Sequence, residues 1–177
     1  MNNYLIIDLE CTCDEDKNNF DRKKMEIIEI GAVLVDENFK LIDEFSTFVK
    51  PTINPTLTPF CTKLTTITQK DVDDAPYIEE ALDSLRAFAR QNGFYTFVSW
   101  GGFDYRQIKR ETALKGIDNV MKSKNINYKD NYKEITGVRA TSITRALRDL
   151  KTDFKGTQHR AVYDAKNIYR IIKRIGI

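Results

Sequence analysis

The sequence predicts an α/β protein: a central mixed sheet of five strands, the first three running as antiparallel neighbours, flanked by helices. Three observations predict it. Residues 4–9 and 26–35 are apolar runs rich in isoleucine and valine, as strands covered on both faces are. Only the polar turn 36–40 separates the second run from a third strand at 41–49, and so short a connection makes these two antiparallel neighbours. From residue 77 onward, helical periodicity alternates with further strands and then gives way to helices, the order of a sheet with helices packed on it.

Taken in order, strand 4–9 runs into a polar, charged loop at 14–24, and EIIEIGAVLV at 26–35 is the second strand. Pro51, Pro55 and Pro59 exclude helix until Pro59, which is well placed to open a short one over 59–64. Ile78, Leu82, Leu85 and Ala89 recur at helical spacing within 77–90. FYTFVS at 94–99 is a fourth strand, ended by Gly101 and Gly102, and a helix follows over 103–114. A short fifth strand is expected at 126–129, then helices at 141–150 and 161–175, separated at Gly156. With no repeat, low-complexity tract or long linker, residues 1–177 are expected to form a single domain.

Composition narrows the class. Hydrophobic residues make up 41% and charged residues 31%, which excludes a disordered chain, and a net charge of +2 is too small to mark a strongly basic nucleic-acid binder. It remains compatible with a strand held through local patches. Cys11, Cys13 and Cys61 give no disulfide framework, and the chain's one histidine lies too far from them in sequence to suggest a structural zinc site. Reduced thiols in a cytoplasmic protein are expected. The opening MNNYLIIDLE has no basic start and its apolar stretch is broken by Asp8, so no signal peptide is expected, and no apolar run suggests a membrane span.

Chemistry enters with Asp8 and Glu10. Two apart on a strand, they project from the same side at its C-terminal end. Two like charges about 4 Å apart repel by about 4 kcal/mol at an effective dielectric near 20, and a divalent cation between them reverses that sign. Alone, the pair also fits two solvated acids where a strand meets a loop. Asp104 follows the fourth strand at the start of a helix, where an acid can equally well complement the dipole. Asp164 precedes Ile168, Ile171 and Ile175 by four, seven and eleven residues and so continues an inward apolar stripe, costly for a charge unless it is paired, metal-bound or in a frayed first turn. His159, the lone histidine, lies in the loop GTQHRA; its unperturbed pKa of about 6.5 suits a base near neutrality, although a loop histidine is usually only solvated.

The ordered set of D-x-E on the first strand, Asp after a middle strand and H-x4-D on the last helix resembles the DEDDh, or DnaQ-like, 3′→5′ exonucleases, a family with a ribonuclease H-like fold. The stretches that carry the resemblance are IIDLECTC, EIIEIGAVLVD, FVKPTINPTLTPFCTKLTTIT, SWGGFDYRQI and HRAVYDAKNIYRI. They look most like the branch of Eri-type RNA exonucleases and bacterial proteins described as sporulation-kinase-pathway inhibitors.

The resemblance implies metal-binding acids at Asp8, Glu10, Asp104 and Asp164, and a general base at His159. It implies two divalent cations, Mg2+ or Mn2+, with Asp8 bridging them. The implied substrate is nucleic acid, RNA favoured over DNA, and the product a nucleoside 5′-monophosphate. It also implies substrate contacts from Leu9, Thr12, Leu64, Thr65 and Phe103. Thr66 stands where the family's L-T-G-I-T loop usually has glycine. Arg106, Lys109, Arg110, Arg139, Arg145 and Arg148 could meet phosphates or form a solvated face, and Trp100 is expected to be structural. The reading from another class is a regulatory protein that grips nucleic acid or a kinase and does little chemistry.

Overall fold

The computed structural model describes residues 2–16, 20–91, 93–118 and 124–177; of the loop expected at 14–24, residues 17–19 therefore lie outside the description. Five strands form one sheet: β1 (Asn2–Cys11), β2 (Ile27–Val35), β3 (Leu41–Phe48), β4 (Phe94–Ser99) and β5 (Asn125–Asn127), in the order β3-β2-β1-β4-β5. β2 is antiparallel to both β1 and β3, whereas β4 is parallel to β1 and β5 parallel to β4. The mixed sheet expected from the sequence is the sheet that forms.

The helices are α1 (Pro59–Thr65), α2 (Gln69–Asp73), α3 (Ile78–Arg90), α4 (Phe103–Lys115), α5 (Tyr128–Thr136), α6 (Ile143–Asp149) and α7 (Ala161–Ile175). Thr58 caps α1 by accepting from the Cys61 N–H, with Pro59 in the first turn, where a missing N–H costs nothing. Thr68 and Asp71 close a capping box on α2. Neither α2 nor α5 was expected. The sequence suggested a strand over 126–129, but the chain turns helical at Tyr128, where Tyr128 and Tyr132 bury their rings one turn apart. Within YKDNYKEIT those two are the only fully buried side chains, so the apolar signal is sparse.

Strand alternation sorts side chains onto two layers. Leu5, Ile7 and Leu9 of β1, with Ile30, Ala32 and Leu34 of β2, pack beneath α3, against Ile78, Leu82, Leu85 and Phe88. Ile6, Val33 and Val35 face the opposite layer, built from Ala165, Ile168, Ile171 and Ile172 of α7 with Tyr128, Tyr132 and Leu147. Asp8 and Glu10 share the parity of Ile6 and so lie on the α7 side. Every residue of β2 is buried, Glu29 and Gly31 included. Among the described residues no helix is long and apolar enough to cross a membrane.

Gly31 fixes how closely α7 sits. It pairs with Asp8 across the β1–β2 ladder, and a Cβ there would lie 2.1 Å from the Ala161 carbonyl carbon and the Val162 nitrogen. Lacking one, β2 lets the first turn of α7 touch the sheet beside Asp8. Just before β2, beside the C-terminal end of β1, the buried Glu26 carboxylate accepts the N–H groups of Thr52, Ile53 and Asn54 at 2.8, 2.8 and 2.7 Å and pairs with Lys115 at 2.8 Å. That knot ties the proline-rich turn and α4 to the start of β2.

Candidate active site

Because β1 and β4 are parallel neighbours, their C-terminal ends open at the same edge, where ligand crevices of α/β sheets form. β1 delivers Asp8 and Glu10 there. The chain leaving β4 passes Gly101, at φ 97, and starts α4, which places Asp104 in its first turn. α7 arrives over Gly31 and adds Asp164 one turn in from Ala161. One carboxylate oxygen each from Asp8, Glu10 and Asp164 lies within 4.8 Å of the others. Asp104 lines the same cleft, whose volume is ≈ 540 Å³ and whose walls also include Leu9, Trp100, Phe103, Thr141, Ser142, Ile143, Gln158 and His159.

The acids are held protonated more tightly than ordinary carboxyls. Burial pushes Glu10 up to about 8, helped by the charges of Asp164, Glu29 and Asp104. Burial raises Asp104 to about 7 against the opposing pull of its own N–H, the Leu9 N–H and the Ser99 hydroxyl. Asp164 rises to about 6, again chiefly through burial, although the N–H groups of His159 and Arg160 donate to it. Asp8 goes well above the usual carboxylate range through burial and then through Asp104, Asp164 and Glu10. Four converging acids with mutual repulsion are what a cation relieves.

The donors fit such a cation. All are carboxylate oxygens, the hard ligands that suit Mg2+ or Mn2+. Asp164 Oδ2 is buried without a hydrogen-bond partner among the described residues, an acceptor left free at the cluster. Cys11, Cys13 and Cys61 are free thiols, and the cluster includes none of them.

The five residues Asp8, Glu10, Asp104, His159 and Asp164, drawn from three separate stretches of the sequence, all line one cleft. His159 is solvent-exposed at its rim, with a left-handed backbone at φ 57. Of the expected substrate contacts, Leu9 and Phe103 line the cleft, and Phe103 is 42% exposed there, an aromatic face free to be covered. The other three are placed elsewhere. Thr12 is buried and accepts from the Glu26 N–H at 3.0 Å, and Thr65 is buried with its hydroxyl donating to the Cys61 carbonyl at 2.9 Å. Leu64 is exposed on α1, lining a separate hollow with Glu15, Pro59, Phe60 and Lys63. None of the six basic residues singled out in the sequence is among those lining the cleft, and Arg145 is paired with Asp149 at 2.9 Å.

Sequence reasoning missed the far wall at Thr141–Thr144 and Gln158, which carries no charged or motif signal. It also read Trp100 as structural. The ring does pack on Tyr128 and Tyr132, at 6.1 and 5.7 Å between centroids, but it forms part of the cleft wall as well. Glu29 was missed too, and here a signal existed: an acid inside a continuous apolar strand must have a partner.

The exonuclease family model RNase_T matches residues 5–172. The chain is 30% identical over 203 residues to the 3′-5′ exonuclease eri1 of Schizosaccharomyces pombe, covering 97% of this chain and 67% of that protein. It is 29% identical over 175 residues to the probable 3′-5′ exonuclease KapD of Bacillus subtilis, covering 98% and 84%. Among solved structures, it superposes on the nuclease domain of 3′hExo, a DEDDh family member bound to rAMP, with a TM-score of 0.88 at 30% identity, covering 98% of this chain and 90% of that one.

Proposed function

This chain belongs to the exonuclease family, and on that footing we propose that it removes nucleoside 5′-monophosphates from the 3′ end of a nucleic acid, RNA in preference to DNA. The observation that carries the reading is the meeting of the Asp8, Glu10 and Asp164 carboxylates with Asp104 on one cleft. Asp8, Glu10, Asp104 and Asp164 would hold two divalent cations, Mg2+ or Mn2+. Such cations, when bound, neutralise the phosphate oxygens and favour in-line displacement by water.

The chain's own residues do the rest. The four carboxylates would hold such cations at the edge of the sheet, beside the end of β1. His159, at the rim and open to solvent, takes the proton from the attacking water as the P–O bond to the leaving 3′-oxygen breaks. Leu9 and Phe103 offer an apolar wall for the terminal base, and stacking on such an aromatic is worth roughly 1–3 kcal/mol. The preference for RNA is supported by the ribonucleotide held by the solved relative. The 2′-hydroxyl is the group by which a site tells the two polymers apart.

The test is a digest of matched RNA and DNA oligomers, labelled at the 5′ end, with Mg2+ or Mn2+. A ladder shortening stepwise from the 3′ end, faster for RNA, is expected from the wild type, and none from Asp8→Asn. Internal cuts, or full activity in Asp8→Asn with its circular dichroism unchanged, would sink the assignment.

A further inference from the structure

We infer that Glu29 and Arg160 are positioning residues for His159: a buried ion pair between β2 and the start of α7 that holds the histidine's backbone in its left-handed turn. The inference deepens the proposed function and rests on its assignment of His159 as the base.

Glu29 lies opposite Glu10 in the β1–β2 register and is fully buried. Its carboxylate accepts from Arg160 through Nε at 3.2 Å to both oxygens and through Nη2 at 3.0 Å, and from the Ala161 N–H at 2.9 Å. The Arg160 guanidinium also lies over the Phe48 ring, 5.2 Å from its centroid. α7 has no side-chain cap of its own, with Arg160 at the N-cap position, so Glu29 satisfies the first N–H of the helix from the neighbouring strand. The residue immediately after His159 is thus clamped to the sheet.

On the other side lies the first turn of α7, where the Asp164 N–H donates to the Arg160 carbonyl at 3.1 Å. His159, next to this clamped residue, has its backbone at φ 57. A side-chain-bearing residue stays in that conformation only where its surroundings over-determine it, and such strain gathers at functional sites. An ion pair this buried is a poor device for stability alone, since packed apolar residues often serve as well. Its forked geometry instead fixes direction, and the thing it directs is the loop that carries the only histidine in the sequence.

That uniqueness makes the inference directly readable, because the ring signals of one histidine need no assignment. In Glu29→Gln and in Arg160→Lys, which keeps the charge and loses the fork, the histidine ring resonances should shift and broaden relative to wild type while far-UV circular dichroism stays the same. The kcat should fall about ten- to a hundredfold, as expected for a base displaced by a fraction of its working distance, with KM and Mn2+ affinity within about twofold of wild type. If Glu29→Gln does not fold, Arg160→Lys decides. A folded variant whose histidine signal and kcat match the wild type overturns the inference. So does a parallel loss of kcat, KM and Mn2+ affinity, which would make the pair a general prop of the fold. A wild-type protein that cuts no oligomer, yet whose histidine signal moves in both variants, would remove the exonuclease reading and leave the positioning role standing.

Discussion

At the scale of single residues, two backbones in the left-handed region make different demands. Thr66 ends α1 at φ 63, ψ 5, with its N–H donating to the Thr62 carbonyl. A β-branched residue there bears a cost of about 1–2 kcal/mol that glycine escapes, which gives a physical reason why related loops favour glycine. Glycine returns part of that through the unfolded chain, about 0.5–1 kcal/mol. Thr66→Gly should therefore stabilise the protein by about 0.5–1 kcal/mol, seen as a Tm rise of roughly 1–4 °C; a lower Tm would mean that the Thr66 side chain makes a contact outweighing the strain. For His159 the question is chemistry. His159→Ala should cut kcat by about 10²–10⁴-fold, the range for general base catalysis, with Tm unchanged within a degree or so. An unaltered rate and pH profile would assign the proton to another group.

At the scale of elements, the site depends on the seat of α7. Gly31→Ala would drive a methyl into the backbone of Ala161 and Val162. Over-packing of that kind costs about 1–3 kcal/mol, a Tm loss of roughly 2–12 °C for a chain of this size. Because Asp164 rides on the helix that must retreat, Mn2+ binding should weaken as well. Calorimetric titration giving wild-type Mn2+ affinity at a lowered Tm would show that the cluster does not depend on this approach. The elements also show what a sequence can carry. Long periodic or continuous patterns, such as β2 and α7, were legible with nearly their true ends. α5 was not, because Tyr128 and Tyr132 are its only fully buried side chains amid polar neighbours. Thr12 and Thr65 were placed by motif, and motif spacing gives no direction for a side chain; both face inward.

At the scale of the whole molecule, the four acids couple stability to pH and metal. Each carboxyl titrates near 4 in the unfolded chain, but Glu10, Asp104 and Asp164 are raised to about 8, about 7 and about 6 in the fold. Between roughly pH 4 and 8 the folded state therefore binds more protons than the unfolded one, and stability of the metal-free protein falls as pH rises. Glu26, held below the usual range by Lys115 and backbone N–H groups despite its burial, and Asp71, lowered by Thr68, work in the opposite sense, but only as pH falls below the ordinary carboxylate range. The Tm of metal-free protein should drop by several degrees from pH 5 to pH 8. Mn2+ should restore it at pH 8, by about 2.7 kcal/mol at a hundredfold excess over Kd, and do little at pH 5, where protons occupy the ligands. A metal-free Tm that rises over this range would contradict the burial of the cluster. That Asp8, Glu10, Asp104, His159 and Asp164 would share one cleft was legible in their residue types and order; the pairing of Arg160 with Glu29 was not, because a partner across strands leaves no fixed spacing.

The parallel pairing of β1 with β4, and the arrival of α7 over Gly31, have a consequence in time. Asp8 and Glu10 are made more than 150 residues before Asp164. At 5–20 residues per second, a nascent chain exposes its first two acids many seconds before the helix that completes the cluster has left the ribosome. Through that interval the emerging strand carries its two acids without the rest of the cluster. Nuclease activity becomes a property of the folded protein only once distant parts of the sequence have met, so in a refolding experiment its recovery should follow, and never precede, the docking of α7.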